Sequence, residues 1–191
     1  MILGITGGTG CGKTTLLRMI EEMGGLVLDC DAIYHRLLRT DPKLLQAIEN
    51  RFPGSVKDGA LQREFLGNLV FSDPAALNDL NRITHQAVKE EILRALENAP
   101  ELTAIDAIGL FEAELDRLCD VTVAVIAPRE VRIRRLMERD GISRSYAEKR
   151  IDAQPDSEAF QARCHYFLEN SGSEAEFRAK SLAFFRELAI M

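Results

Sequence analysis

The chain has 191 residues, 46% hydrophobic and 28% charged, enough for one globular domain to bury a core without disulfide or metal staples. Its 30 acids against 24 bases leave a formal charge of −6, which excludes a protein that coats nucleic acid with a basic surface. Apolar runs are too short for a membrane span, and Met1 leads directly into Ile-Leu-Gly-Ile without a basic leader, so neither a membrane nor a secretory route is expected.

Cys11, Cys30, Cys119 and Cys164 lie far apart, as do His35, His85 and His165. They read as free thiols and isolated imidazoles of a reducing compartment, the cytoplasm, with no structural zinc. Nothing in the residues selects an oligomeric state.

In chain order, a short apolar strand at Ile2 to Ile5 runs into Gly7-Gly8-Thr9-Gly10-Cys11-Gly12, and Lys13-Thr14-Thr15 opens a helix with Leu16, Leu17 and Ile20 at helical spacing. Gly24-Gly25 ends that helix, and Leu26-Val27-Leu28 makes a second strand. Further strands are expected at Leu102 to Ile105, Val121 to Ile126 and Tyr166 to Leu168, so the pattern is the β-α-β alternation of a parallel sheet covered by helices. The stretch of roughly 70 residues between the second and third strands reads as helical and is too long for an ordinary crossover. It is expected to be an inserted lobe, residues 32–100. Asp41-Pro42 and Asp73-Pro74 each set a capping carboxylate before a proline at the first helical position, with Leu61, Phe65, Leu66 and Leu69 as an apolar face between them. After the fourth strand, Pro128 starts an arginine-rich helix ending near Gly141. The next begins at Ser143 or Ser145, where Ser145 and Glu148 have capping-box spacing, and Ser173 with Glu176 repeats that spacing before the final helix.

Gly7-x-x-x-x-Gly12-Lys13-Thr14 is the P-loop pattern, between a strand and a helix as it should be. Its glycines let backbone N–H groups close on phosphate oxygens, Lys13 neutralises charge, and the Thr14 hydroxyl is suited to Mg²⁺. Asp29-Cys30-Asp31 follows the second strand, at the carboxyl edge where open α/β sheets bind ligands. One of these carboxylates is suited to take a proton from an acceptor hydroxyl; the competing reading makes Asp31 a helix cap ahead of Ile33, Leu37 and Leu38. Asp106 ends the third strand, either as a magnesium-side carboxylate or as a turn residue. From Arg129 to Arg150 eight basic residues face four acids, a local excess of four positive charges. Arg132, Arg135 and Arg139 share one helix face, with Ile133, Leu136 and Met137 on another. Such a run is either a solvated face or, beside a P-loop, a lid that closes on transferring phosphate.

These residues together resemble the dephospho-CoA kinases, almost end to end. Gly4-Ile5-Thr6-Gly7-Gly8 with Gly10-Cys11-Gly12-Lys13-Thr14 resembles the family's P-loop, and Leu28-Asp29-Cys30-Asp31 its Asp-x-Asp motif. Asp58-Gly59-x-Leu61-x-Arg63, Val70-Phe71 and Leu80-Asn81 with His85 are similar to its helical acceptor lobe, and Asp106 with Leu110-Phe111-Glu112 to the segment after its third strand. Arg135 and Arg139 fall on its phosphate-binding arginines, Ala147-x-x-Arg150-Ile151-x-x-Gln154 on its next helix, and Asn170-x-Gly172 on its loop near the ATP base. The chain departs from the pattern at Gln86 (usually proline), Ile108-Gly109 (Pro-Leu), Arg132 (glutamine) and Cys164-His165 (Ala-Asp).

The resemblance implies a P-loop kinase fold: an α/β domain with a five-stranded parallel sheet in the order 2-3-1-4-5, an acceptor-binding helical insertion and an arginine-rich lid at 129–150. The implied reaction is ATP-dependent phosphorylation of the ribose 3′-hydroxyl of dephospho-CoA. Asp31 would be the base, with Lys13, Arg135 and Arg139 as the other catalytic groups. Gly8, Thr9, Gly10, Cys11, Gly12, Lys13, Thr14, Thr15 and Asn170 would bind ATP, and Thr6, Asp31, His35, Arg63, His85 and Phe111 the acceptor. Thr14 and, through water, Asp106 would serve Mg²⁺. ATP and dephospho-CoA are the implied partners, with no nucleic acid and no membrane. A related kinase for another nucleotide or small metabolite is the alternative, and a non-catalytic nucleotide switch the other.

Overall fold

The computed structural model describes residues 1–190, which fall into two compact units, one of Met1–Leu28 with the chain from Ala99 onward, the other of Asp29–Asn98. In the first, strands β1 (Ile2–Thr6), β2 (Leu26–Asp29), β5 (Thr103–Asp106), β6 (Val121–Ile126) and β7 (Tyr166–Glu169) form a sheet in the order β2-β5-β1-β6-β7. This is the expected order. The central strand β1 runs parallel to both β5 and β6, with Ile5 opposite Asp106 on one side and Val123 on the other, and β6 runs parallel to β7.

Strands buried on both faces carry apolar residues at successive positions. Leu3, Ile5, Val123 and Val125 turn to the face covered by α1 (Lys13–Glu22) and α9 (Glu174–Glu187), where Leu16, Ile20, Phe177 and Phe185 are fully or almost fully buried. Ala124 and Ile126 turn the other way, against Phe160 of the short helix α8 (Ser157–Arg163). Gly4 lies between Leu3 and Ile5, and a Cβ there would sit 2.8 Å from Cys119 Sγ and 2.9 Å from Leu110 Cδ2. The absent side chain lets that face close over β1. Helices α6 (Arg129–Asp140) and α7 (Arg144–Asp152) pair through Ile133, Leu136, Ala147 and Ile151, with Gly141 reversing the chain between them at φ 63°.

The second unit packs α2 (Cys30–Thr40), α3 (Pro42–Arg51) and α4 (Arg63–Phe71) on the 23-residue α5 (Pro74–Leu96). Asp41 and Asp73 cap α3 and α5 through the amides of Lys43 and Ala75, each with proline next in line, as expected. Three expectations need correction. A hairpin of β3 (Val56–Lys57) and β4 (Ala60–Leu61) interrupts the helices, turning at Asp58-Gly59 with both φ values positive. Glu49 prepares its entry by accepting the amides of Gly54 and Val56, and these bonds hold its carboxyl below the usual range. The buried face of α4 is Leu66 with Val70, while Phe65 and Leu69 are exposed. The cap of α7 is Ser143, whose hydroxyl accepts from the Tyr146 amide, not Ser145. Ser173 and Glu176 do form the expected capping box on α9.

Among the described residues no helix is long and apolar enough to cross a membrane.

Candidate active site

The loop between β1 and α1 owes its shape to glycines. Gly7, Gly10 and Gly12 have φ of 139°, 79° and 87°, values that side chains resist, and a Cβ on Gly7 would lie 2.2 Å from the Val125 carbonyl oxygen. Cys11 N–H donates to the Gly8 carbonyl and Thr15 N–H to that of Gly12, closing the turn. The first amides of α1, at Lys13 and Thr14, have no intrahelical acceptor by position and carry the positive end of the helix dipole, so the loop is built for anions. Lys13 Nζ donates to the Gly7 carbonyl at 3.0 Å and stands 3.6 Å from Asp106 Oδ1, with both side chains about 15% exposed. One cation and one carboxylate are thereby held at the carboxyl ends of β1 and β5, the two innermost strands on that side.

Side chains from the arginine-rich helix and beyond hold the loop from outside. Asn170 is buried, its Nδ2 donates to the Cys11 carbonyl at 2.9 Å and its Oδ1 accepts from Arg135 at 3.1 Å. A second Arg135 nitrogen lies 3.4 Å from the carbonyls of Gly10 and Cys11. Burial, with Arg134 as the second cause, pulls Arg135 below the ordinary arginine value. Arg132 is not on an open face: it is buried, and its Nε donates to the Thr9 carbonyl at 2.9 Å, while the Thr9 amide donates to Gln154 Oε1 at 2.8 Å. Arg139 stands apart from this group. Its guanidinium forks onto Asp140 at 2.6 and 2.9 Å, and Asp140, shared with Arg150, has its carboxyl pulled down to about 2.

Of the residues expected at the acceptor, Thr6 and Phe111 belong to the sheet unit. The Thr6 hydroxyl, fully buried, donates to the Ile108 carbonyl, and the Arg163 guanidinium lies 4.3 Å over the Phe111 ring. Asp31, His35, Arg63 and His85 belong to the other unit. Asp31 is not the cap of α2. Asp29, with φ −78° and ψ 107°, takes that role by accepting the amides of Asp31 and Ala32 at 2.9 and 3.0 Å. The Asp31 carboxylate is left 85% exposed, 3.5 Å from His35 Nε2 one turn along. Beside them, burial pushes the Tyr34 hydroxyl up, Arg63 opposing and Asp31 adding to the effect. Cys164-His165 has a structural use: His165 Nδ1 accepts the Thr122 amide at 2.9 Å, tying the entry of β7 to β6.

Thr14 is exposed at the start of α1, and Asp106 ends β5. Among the described residues no three His, Cys, Asp or Glu side chains gather as a metal cage. A magnesium ion held by one or two protein oxygens, water and phosphate needs none, so this hard-oxygen pair fits it.

Gln154 and Arg132 are loop-holding residues that local pattern does not reveal, because their partner Thr9 is over a hundred positions away in sequence.

Residues 1–176 match the family model described as dephospho-CoA kinase. A dephospho-CoA kinase of Syntrophotalea carbinolica is 37% identical over 98% of this chain and 92% of its own, and one from Deinococcus radiodurans matches to the same extent. Among solved structures, TT1252 of Thermus thermophilus superposes with a TM-score of 0.82 at 34% identity, covering 98% of this chain and 97% of its own. A shikimate kinase of Acinetobacter baumannii shares the fold at a TM-score of 0.57 and 17% identity, over 98% and 92% of the two chains.

Proposed function

The chain belongs to the dephospho-CoA kinase family, and on that premise we propose how its residues divide the transfer of the ATP γ-phosphate to the ribose 3′-hydroxyl of dephospho-CoA, giving coenzyme A and ADP. The observation that carries the reading is the loop itself: three glycines in conformations that side chains resist, and Lys13 between the Gly7 carbonyl and Asp106.

Loop residues Gly8 to Gly12 with Lys13, Thr14 and Thr15 bind the β- and γ-phosphates, the lysine and the amides at the start of α1 supplying the positive potential while the Thr9 and Cys11 amides, engaged by Gln154 and Gly8, keep the loop in shape. Lys13 exchanges its bond to the Gly7 carbonyl for phosphate oxygens. Asn170 serves ATP by shaping the loop through Cys11. The acceptor hydroxyl gives its proton to Asp31, which suits this role because Asp29 has taken over the capping. His35, Arg63, His85, Thr6 and Phe111 are proposed to orient the acceptor. Arg135 neutralises charge developing on the transferring phosphoryl group; Arg139 joins it only by releasing Asp140. Closure of the lid, 129–150, keeps water from competing as acceptor. Thr14, and Asp106 through water, would hold Mg²⁺, which when bound screens the phosphate charges. Among the described residues no cysteine forms a disulfide, which suits the reducing cytoplasm.

The test is ADP release from ATP with and without dephospho-CoA, against a panel of adenosine, nucleoside monophosphates and shikimate. Strong stimulation by dephospho-CoA is expected. Preference for another acceptor would overturn the assignment, and ATP binding without turnover would leave only a nucleotide switch.

A further inference from the structure

One buried charge has no place in the mechanism above. Arg132 is only 4% exposed, yet among the described residues no carboxylate comes within 4 Å of its guanidinium. The acids in the same cavity are engaged elsewhere or stand off: Asp152 pairs with Arg129, Asp156 caps α8 through the Ala159 amide, and Glu158 stays beyond ion-pair distance. The polar contacts of Arg132 are the Thr9 carbonyl at 2.9 Å and Gln154 Oε1 at 3.5 Å, both neutral groups.

Neutral acceptors replace part of the lost hydration of a buried cation but leave its charge uncancelled, an arrangement that is costly unless an anion completes it. The glycine-rich loop is shaped around this cation. A Cβ on Gly8 would lie 2.2 Å from Arg132 Nη2, and one on Gly10 would lie 2.9 Å from the Arg132 carbonyl oxygen. The guanidinium is thus applied to the loop backbone with no side chain between. The Cys11 thiol senses it: burial pushes the thiol up, and Arg132, ahead of Lys13, is the chief charge opposing that rise.

We propose that Arg132 is the rear electrostatic element of the nucleotide site, its charge completed across the loop by the bound polyphosphate of ATP. Gln154 makes this possible by holding the Thr9 amide while Arg132 holds the Thr9 carbonyl, so that the backbone between cation and phosphate stays in place. The proposal rests on reading the loop as the ATP site. The nucleotide-free enzyme then carries an uncompensated buried charge, and ATP relieves it.

This arrangement separates charge from packing. Arg132→Gln keeps an N–H for the Thr9 carbonyl and removes the charge; Arg132→Lys keeps the charge. Calorimetric titration with ATP should show the dissociation constant about tenfold higher in R132Q, equivalent to ~1.4 kcal/mol, and changed by less than about threefold in R132K. The KM for dephospho-CoA should stay the same in both, and nucleotide-free R132Q should melt at or above the wild-type temperature. ATP affinity equal to wild type in R132Q overturns the proposal. So does equal weakening in R132Q and R132K, or a fall in melting temperature with both substrates weakened together, the signature of a packing role alone. Should Lys13→Ala bind ATP as tightly as wild type, the loop is not the ATP site and the proposal goes with it.

Discussion

Asn170→Ala removes a side chain that links the glycine-rich loop to Arg135 from the end of β7. Its backbone stays bonded to the Ile126 carbonyl at 2.8 Å, so the substitution acts on the amide group alone. Two hydrogen bonds are lost, one of them from a charged donor. Each contributes a net ~0.5–1.5 kcal/mol, and more where a charge takes part. The Cys11 carbonyl is not orphaned, because Arg135 remains at 3.4 Å, so the full desolvation penalty is avoided and a total near 2 kcal/mol is expected. For a chain of this size that corresponds to a melting temperature lower by about 4–8 °C. The loop also loses a restraint on its binding-competent shape, and any fraction of time spent open raises the apparent KM for ATP in proportion, up to about tenfold if most of the lost energy is local. Asn170→Asp separates the two bonds: it still accepts from Arg135 but turns a carboxylate on the Cys11 carbonyl and cancels the arginine's charge. It should be worse than alanine for ATP. Thermal unfolding followed by circular dichroism and coupled ADP release measure both effects. An alanine variant that melts within about 1 °C of wild type with an unchanged KM for ATP would refute this account of the loop.

Lys13→Ala should abolish turnover while preserving the melting temperature to within a few degrees, and wild-type kcat in a folded variant would remove the loop from the chemistry. Asp31→Asn should cut kcat by about 10²–10⁴-fold with little change in stability, whereas Asp29→Ala should cost ~1 kcal/mol of stability through the α2 cap; the reverse assignment would exchange their roles. The Asp140 carboxyl is lowered from 3.8 to about 2 by Arg139 and Arg150, so its contribution is complete above about pH 4 and is lost as pH falls towards 2. Asp140→Asn should therefore lower stability at pH 5–6, where the ionised carboxylate contributes in full, and flatten the acid limb so that variant and wild type converge towards pH 2; equal stability at pH 5–6 with an unchanged acid limb would show that the pair contributes nothing.

What could be read from the residues is what depends on neighbours in sequence. The β1–loop–α1 passage, the Asp-Pro caps and the Ser173–Glu176 box are local arrangements, each found where its residue types imply. The hairpin at Asp58-Gly59 escapes because its strands are two residues each, too short for a period, although Asp-Gly is itself a turn signal. Asp29 and Asp31 are two positions apart, and only the extended backbone at Asp29 decides which one caps. Helical spacing correctly sets Arg132, Arg135 and Arg139 on one face, but it carries no information about what covers that face. The loop takes Arg132 and part of Arg135, and Asp140 takes Arg139.

The placement of β1 has a consequence for synthesis. It is the central strand, yet both neighbours lie about a hundred residues later, with Ile2 opposite Thr103 and Leu3 opposite Val121. A ribosome working at roughly 5–20 residues per second needs on the order of 6–24 s to pass from β1 to the end of β6. Throughout that interval Ile2, Leu3 and Ile5 are an apolar segment with two unsatisfied edges, the kind that recruits other nascent chains. Gly4, Gly7 and Gly8 lower the β-propensity of the segment and its flank. The glycines that later admit Cys119 against β1 and Arg132 beneath the loop thus also make the waiting strand a poor template for aggregation.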